Sequence, residues 1–80
     1  MINAAFIYVA PGQNPQEQKA VIPSDTLTLH VVGCSTYDQA ETAAKELVAN
    51  GCGAIELCAG FGNEGIARIK KVVGPEIPVG

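Results

Sequence analysis

The chain has 80 residues, of which eight are acidic and five basic, and a formal net charge of −3. This length predicts a single domain spanning residues 1–80, which buries only about 60% of the surface that the unfolded chain exposes. The acidic balance argues against nucleic acid as a partner, because domains that bind nucleic acid carry a basic face.

Cysteine usage and hydropathy predict the compartment. The three cysteines are an odd number with no CxxC or His-Cys spacing, so the sequence indicates reduced thiols and no metal site. It contains no secretory signal pattern and no apolar run of about 18 residues, the length that a membrane helix needs. We therefore expect a cytoplasmic protein that does not enter a membrane.

The first predicted elements are a buried strand and a short helix. Residues 4–10 form a continuous apolar run that stops at Pro11-Gly12, which is typical of a central strand covered on both faces. Asn14 then stands where a helix cap is expected, with Pro15 at the first helical position. This pattern predicts a short helix from about Pro15 to Val21.

The middle of the chain predicts an edge strand and an amphipathic helix. Residues 26–31 alternate between polar and apolar side chains, which indicates a half-covered strand with His30 on its solvent side. Thr36 and Gln39 form a capping-box pattern, and Asn50-Gly51 closes the helix that follows. The apolar stripe of this helix consists of Ala40, Ala43, Ala44, Leu47 and Val48.

The last third predicts a strand, a helix and the start of another strand. Gly53 to Cys58 forms the third predicted strand, and Asn63 is expected to cap a helix that ends at Gly74-Pro75. Residues 77–80 begin a fourth strand that is too short to stand alone. Either the chain has been shortened, or this strand pairs with another subunit.

The alternation of these elements predicts an α/β domain with a mainly parallel sheet of three or four strands and helices on its faces. An apolar first strand in the middle and an amphipathic second strand at the edge give the order 2-1-3-4, as in a fragment of a flavodoxin-like fold. In that order the chain reverses direction between strands one and three, and ligands of such sheets bind at the carboxyl ends of the strands there.

The turn at this switch point carries the only recognisable ligand-binding pattern. Gly60–Gly65 fits G-x-G-x-x-G between a strand and a helix, where glycines let the backbone approach a ligand and helix-start amides bind an anion. Glu64 would stand close to a pyrophosphate, so we predict a smaller anionic or phosphorylated metabolite and leave the cofactor open. A turn that needs glycine only for its backbone is the alternative. The predicted binding residues are Gly12, Gly60, Phe61, Gly62 and Asn63.

Three side chains are candidates for catalysis. Glu56 alternates with its apolar neighbours and lies beneath a helix if both sheet faces are covered; a buried acid must be paired or protonated, which suits proton transfer. A structural ion pair or hydrogen bond is the alternative. Cys34 and Cys58 lie near strand ends on the ligand side, and Cys34 precedes a helix start that favours a thiolate. Small apolar packing is the alternative for Cys58.

The sequence resembles a family of small prokaryotic proteins catalogued only as a domain of unknown function. The resemblance rests on residues 4–12, on Lys45–Val48 and on Ile55–Gly62, where an acid in a strand is followed by Cys and a Gly-Phe-Gly turn. It implies no reaction, cofactor or partner. Relatives usually continue past the position of Gly80, which puts the fourth strand in question.

Three functional hypotheses follow. The chain is a binding module for a small anionic metabolite at the Gly60–Gly65 turn, with Pro11-Gly12 opposite. Alternatively, it is a small enzyme that uses Glu56 for proton transfer near that ligand. The third hypothesis is a structural subunit that holds no ligand and whose Gly-Phe-Gly turn packs Phe61 into a neighbouring copy. We expect self-association to a homo-oligomer through the incomplete edge of the sheet.

Overall fold

The computed structural model describes all 80 residues as four strands and two helices. A one-turn 3₁₀ helix, Ala59–Phe61, directly precedes the second helix. None of the helices has the length and hydropathy to span a membrane. The elements are β1 (Ile2–Val9), β2 (Lys19–Ile22), β3 (Leu27–Cys34), α1 (Tyr37–Ala49), β4 (Ile55–Leu57) and α2 (Gly62–Val73).

The sheet has the order β2-β3-β1-β4. Strand β1 pairs in parallel with β3 on one side and with β4 on the other, so the predicted central position of the apolar strand is confirmed. A parallel bridge between Ile55 and Val79 places the predicted fourth strand beside β4. Predicted strands two, one, three and four correspond to β3, β1, β4 and the segment around Val79, so their predicted order and the α/β class are correct. Strand β2 was not predicted; it runs antiparallel to β3 and makes the sheet mixed.

The predicted helix from Pro15 to Val21 is wrong. Asn14 does cap one turn, since its side chain accepts from the Gln16 N–H at 2.9 Å and its carbonyl from the Gln18 N–H at 2.7 Å. The chain then extends and pairs with β3, because β3 offers a free edge to residues 19–22. Pairing with a sheet outweighs local helix signals in so short a segment. Strand β3 is consequently not the edge strand that its alternation predicts.

Helix α1 begins and ends as predicted. The Thr36 hydroxyl accepts a hydrogen bond from the Gln39 backbone N–H at 3.1 Å, and Gly51 has φ +106° just after the helix. The Gln39 side chain accepts from the Ser35 N–H at 2.8 Å rather than returning to Thr36. The predicted stripe of α1 packs in the core: Ala40, Ala43 and Ala44 are buried, and Leu47 and Val48 lie against them.

Both helices pack on one face of the sheet. Residues paired in the parallel ladder point to the same side, so Ala5, Ile7 and Val9 share a face with His30, Val32 and Cys34. The core forms between this face and the helices, which contribute Ala44 and Ile69 among others. A flavodoxin-like sheet carries helices on both faces. The prediction of helices on both faces is wrong here.

The other side of the sheet has no helix on it, and we call it the open face. None of its side chains belongs to the core or packs against the core. Exposed fractions reach 60% for Ile2 and 56% for Ile22. The prediction that β1 is covered on both faces is therefore wrong. By the strand registers the open face comprises Ile2, Ala4, Phe6, Tyr8, Ala20, Ile22, Leu27, Leu29, Val31, Gly33 and Glu56.

One close packing contact on the open face is directly testable. Tyr8 lies beside Gly33 in the ladder, its ring covers the glycine, and its hydroxyl donates to Gln13 Oε1 at 2.9 Å. A methyl group at Gly33 would overlap the ring. Gly53 has open space around the equivalent position and no positive φ, so it serves as a control.

We predict that Gly33→Ala lowers the free energy of unfolding by about 1–3 kcal/mol, because the Tyr8 ring must move or the backbone must shift. Gly53→Ala should change it by less than about 0.5 kcal/mol. Urea unfolding at matched protein concentration measures both. Equal stabilities of the two variants would show that the ring does not depend on this glycine.

Candidate functional site

The turn after β4 leads directly into α2. Gly62 has φ +62° and ψ −179°, a conformation that side chains rarely allow, so the sequence needs glycine there. Helix α2 starts at Gly62 with Phe61 in the cap position and no side chain capping it. The predicted cap at Asn63 is therefore wrong: Asn63 lies inside the first turn, because the 3₁₀ turn runs straight into the helix. Asn63 and Glu64 are exposed there.

The turn lies against the carboxyl end of β1, as the topology predicts. A Cβ atom at Gly60 would lie 3.5 Å from the backbone oxygen of Val9 and 3.4 Å from the Cys58 Sγ atom. On the other side of β1, the Ala10 N–H donates to the Cys34 carbonyl at 2.9 Å. Gly12 follows in an exposed turn with φ +78°. The structure thus brings the strand ends together and leaves Gly12 and the Gly60–Asn63 turn accessible, apart from Phe61.

Phe61 is a core residue, unlike the exposed glycines around it. Its ring is fully buried within the chain and stacks on Tyr37 with ring centroids 5.8 Å apart. The prediction that Phe61 packs into a neighbouring copy is therefore wrong. The Tyr37 hydroxyl donates to the Phe61 carbonyl at 2.7 Å. A Cβ atom at Gly65 would lie 2.9 Å from the Phe61 ring and 3.0 Å from the Tyr37 ring. The last glycine of the G-x-G-x-x-G pattern therefore makes room for an aromatic pair that joins the two helices.

Arg68 of α2 extends this contact at the surface. Its guanidinium lies 5.2 Å from the centre of the Tyr37 ring and bonds Asp38 at 2.7 Å and also Glu41. The hydrogen bonds to Asp38 and Glu41 raise the pKa of Arg68. Asp38 is 90% exposed, so solvent weakens this pair. Arg68 thus bridges α1 and α2.

Glu56 does not lie beneath a helix. It is exposed on the open face, paired in register with Phe6, because both helices pack on the opposite side of β4. The burial that made Glu56 a candidate for proton transfer is therefore absent. Its proposed catalytic role stays a prediction that the structure gives no geometric reason to favour.

The two candidate cysteines lie on either side of β1 and both are free thiols. Cys34 has no exposed surface, and burial raises the pKa of its thiol. Cys58 is half-buried, and the Val9 N–H points at its Sγ atom from 3.5 Å. Burial likewise raises the pKa of Cys52. A thiolate at Cys34 is disfavoured in spite of the helix start that follows it.

His30 differs in orientation from its prediction. It is half-buried on the helix side of β3, and its Nε2 atom lies 3.3 Å from the Asn3 Oδ1 atom. No three His, Cys, Asp or Glu side chains lie close enough together to hold a metal ion. The arrangement around His30 is a hydrogen bond between neighbouring strands.

The structure has a groove that the sequence did not predict. It lies between α1 and the segment formed by β2 and the turn before it, with a volume of about 410 Å³. A second cavity of about 430 Å³ lies beside residues 74–79. Neither cavity is lined by a predicted site residue. The groove could not be predicted from the sequence, because the segment that forms one side of it was predicted to be a helix from about Pro15 to Val21.

The comparisons with known proteins give one result. A family model described as "Family of unknown function (DUF6506)" matches residues 2–80, which confirms the resemblance to a family of unknown function. No curated protein and no solved structure matches the chain.

We predict that at about pH 8 a thiol reagent modifies Cys58 in the folded protein, whereas Cys34 and Cys52 react only on unfolding. The two buried thiols have 0% and 4% exposure, and their raised pKa leaves less thiolate. Mass spectrometry after iodoacetamide treatment, with and without urea, measures the order in which the cysteines are labelled. Equal labelling of all three cysteines in the folded protein would contradict the prediction.

Because both folded pKa values are raised, the free energy of unfolding should also fall as pH rises above the ordinary thiol pKa of about 8.5.

Proposed function

Because the chain belongs to DUF6506, a family of unknown function, over residues 2–80, we propose its role from its own geometry: it is a self-associating subunit. Two copies pack through the open face of the sheet. No helix covers that face, and its exposed side chains include Ile2 and Ile22.

The observation that carries the proposal is the direction of the β3 side chains. Leu27, Leu29 and Val31 point to the open face, whereas Thr28 and His30 point to the helix side. An alternating strand normally turns its apolar side toward the protein interior. In this half of β3 the apolar side is therefore the one turned away from the helices, where its side chains are half-buried and no further layer covers them.

The strands beside β3 extend this apolar surface. Phe6 lies next to Val31, and Ile22 lies next to Leu29, so large side chains continue across three strands. Glu56 is the only ionisable acid or base on the face apart from the Tyr8 hydroxyl. Sheets bury such faces against another layer. A second layer would also supplement a core of only 11 buried hydrophobic residues.

A second copy suits this face better than an unrelated partner. Two sheets pack face to face by interdigitating the side chains that each already presents, and two-fold dimers are the commonest homo-oligomers. At normal strand spacing and rise the flat area of the four-stranded sheet is on the order of 360 Å², which is a lower bound on the accessible surface of one face. A stable interface needs about 800 Å² from each partner. The proposal is therefore a weak, reversible dimer.

Strand β2 offers a matched pair of variants. Val21 and Ile22 are 57% and 56% exposed, and as successive strand residues they point to opposite faces. We predict that Ile22→Lys abolishes self-association, because it places a charge in the interface, and that Val21→Lys leaves it unchanged. Sedimentation equilibrium over a concentration series measures the association constant of each.

Both lysines stand on an exposed strand, so circular dichroism should show the same fold in each variant. A wild-type chain that remains a monomer at every concentration would overturn the proposal. So would a dimer that Val21→Lys disrupts and Ile22→Lys does not, since the interface would then lie elsewhere.

A second candidate function is binding of a small anionic or phosphorylated metabolite at the Gly60–Asn63 turn. Three observations support it: α2 begins without a side-chain cap, Gly62 and Asn63 are exposed, and the turn lies at the carboxyl ends of the strands. Helix starts attract anions through backbone amides and the helix dipole. Glu64 in the first turn opposes this attraction by its own charge.

The opposing charge of Glu64 makes the anion hypothesis testable without disturbing the turn. We predict that Glu64→Gln roughly doubles or triples the affinity for inorganic phosphate or a sugar phosphate, measured by thermal shift. Glu76→Gln, an exposed acid outside the helix, serves as the control. Absence of stabilisation by any phosphate in both wild type and Glu64→Gln would remove the site.

A further inference from the structure

The groove between α1 and β2 has the size of a small-molecule site. Its volume of about 410 Å³ falls in the range of ligand pockets, about 300–1,000 Å³. Its apolar lining comes from Val32, Ala43 and Leu47, and the remaining lining is mostly polar. The groove lies on the helix side of the sheet, so it stays accessible if the open faces of two copies pack together.

Two opposite charges line this groove, exposed to solvent and without an ion-pair partner in the protein. Lys19 lies on the β2 side of the groove and Glu46 on the α1 side. Neither forms an ion pair, because the two ion pairs in the structure both join Arg68 to acids of α1. Asp38 also lines the groove, but Arg68 bonds its carboxylate and offsets its charge. A bound molecule that carries both an ammonium and a carboxylate group would pair with Lys19 and Glu46 together.

The amides of the groove are oriented in a complementary way. Gln39 Oε1 accepts from the Ser35 N–H and hydroxyl, which leaves the Gln39 NH₂ group as an unused donor. Asn50 Nδ2 donates to the Glu46 carbonyl, which leaves the Asn50 Oδ1 atom as an unused acceptor. The donor therefore stands near the start of α1, and the acceptors stand near its end, where an ammonium group would be recognised.

The spacing along α1 selects an extended ligand. Gln39 and Glu46 are separated by about 10 Å at the normal helical rise. A single amino acid cannot place its ammonium and carboxylate groups that far apart, whereas a short peptide can. We propose that the groove binds short peptides with free termini, with the amino end at Glu46 and Asn50 and the carboxyl end at Lys19 and Gln39.

The experiment uses trialanine with free termini as the probe and backbone amide NMR spectra of the full chain as the readout. Binding should shift resonances of residues 38–50 and of β2. Glu46→Gln and Lys19→Gln should each weaken binding about three- to fivefold. Lys45→Gln, an exposed change on α1 outside the groove, should leave it unchanged. Trialanine blocked at both ends should bind at least as weakly as the variants do.

The proposal is overturned if trialanine shifts no resonance of α1 or β2. It is also overturned if the blocked peptide binds as tightly as the free one, or if Lys45→Gln weakens binding as much as Glu46→Gln. Sedimentation of the same samples shows whether the peptide changes the association of the chains. Because the groove and the open face lie on opposite sides of the sheet, peptide binding should leave that association unchanged.

Discussion

The parallel ladder between β1 and β3 is the constraint on which the rest of this small structure depends. Eight consecutive residue pairs join the two strands, so the direction of every side chain in both is set by the register. One set of alternating residues, with Ala5 and Ile7 at its centre, forms the core beneath α1 and α2. The other set, with Phe6 and Val31 at its centre, is left facing outward. A chain of 80 residues supplies two helices, and both are used on the same side.

The same packing explains most of the glycine pattern without a ligand. Gly62 provides a backbone conformation that lets the 3₁₀ turn continue into α2. Gly65 provides the space in which the Phe61 and Tyr37 rings stack, and this stack joins the helices. Burial of Phe61 therefore places the start of α2 at the end of β4. Any ligand at this turn would use backbone that packing has already arranged, which is why the apolar face, rather than the turn, carries the first proposal.

Much of the fold could be predicted from local pattern, and the errors have a common cause. The apolar run of β1 correctly placed that strand in the middle of the sheet. The cap at Thr36 and the glycine at position 51 correctly gave the two ends of α1. The helix predicted at residues 15–21 failed because its competitor was the free edge of β3, which no local pattern reveals. The burial predicted for Glu56 failed because it assumed a helix on each face of the sheet, whereas both helices pack on the face that carries Ile55 and Leu57. The groove could not be predicted because its β2 side forms only when residues 19–22 pair with the edge of β3.

The claim that the open face is an interface between two copies is tested most directly by isotope-filtered NMR on a mixture of labelled and unlabelled chains. This method detects only contacts between copies. The account predicts contacts from the Phe6 ring to the methyl groups of Leu29, Val31 or Ile22 of the other copy, which weaken on dilution. Contacts between copies that involve only the helices or the Val21 side of β2, or none at the highest attainable concentration, would contradict it.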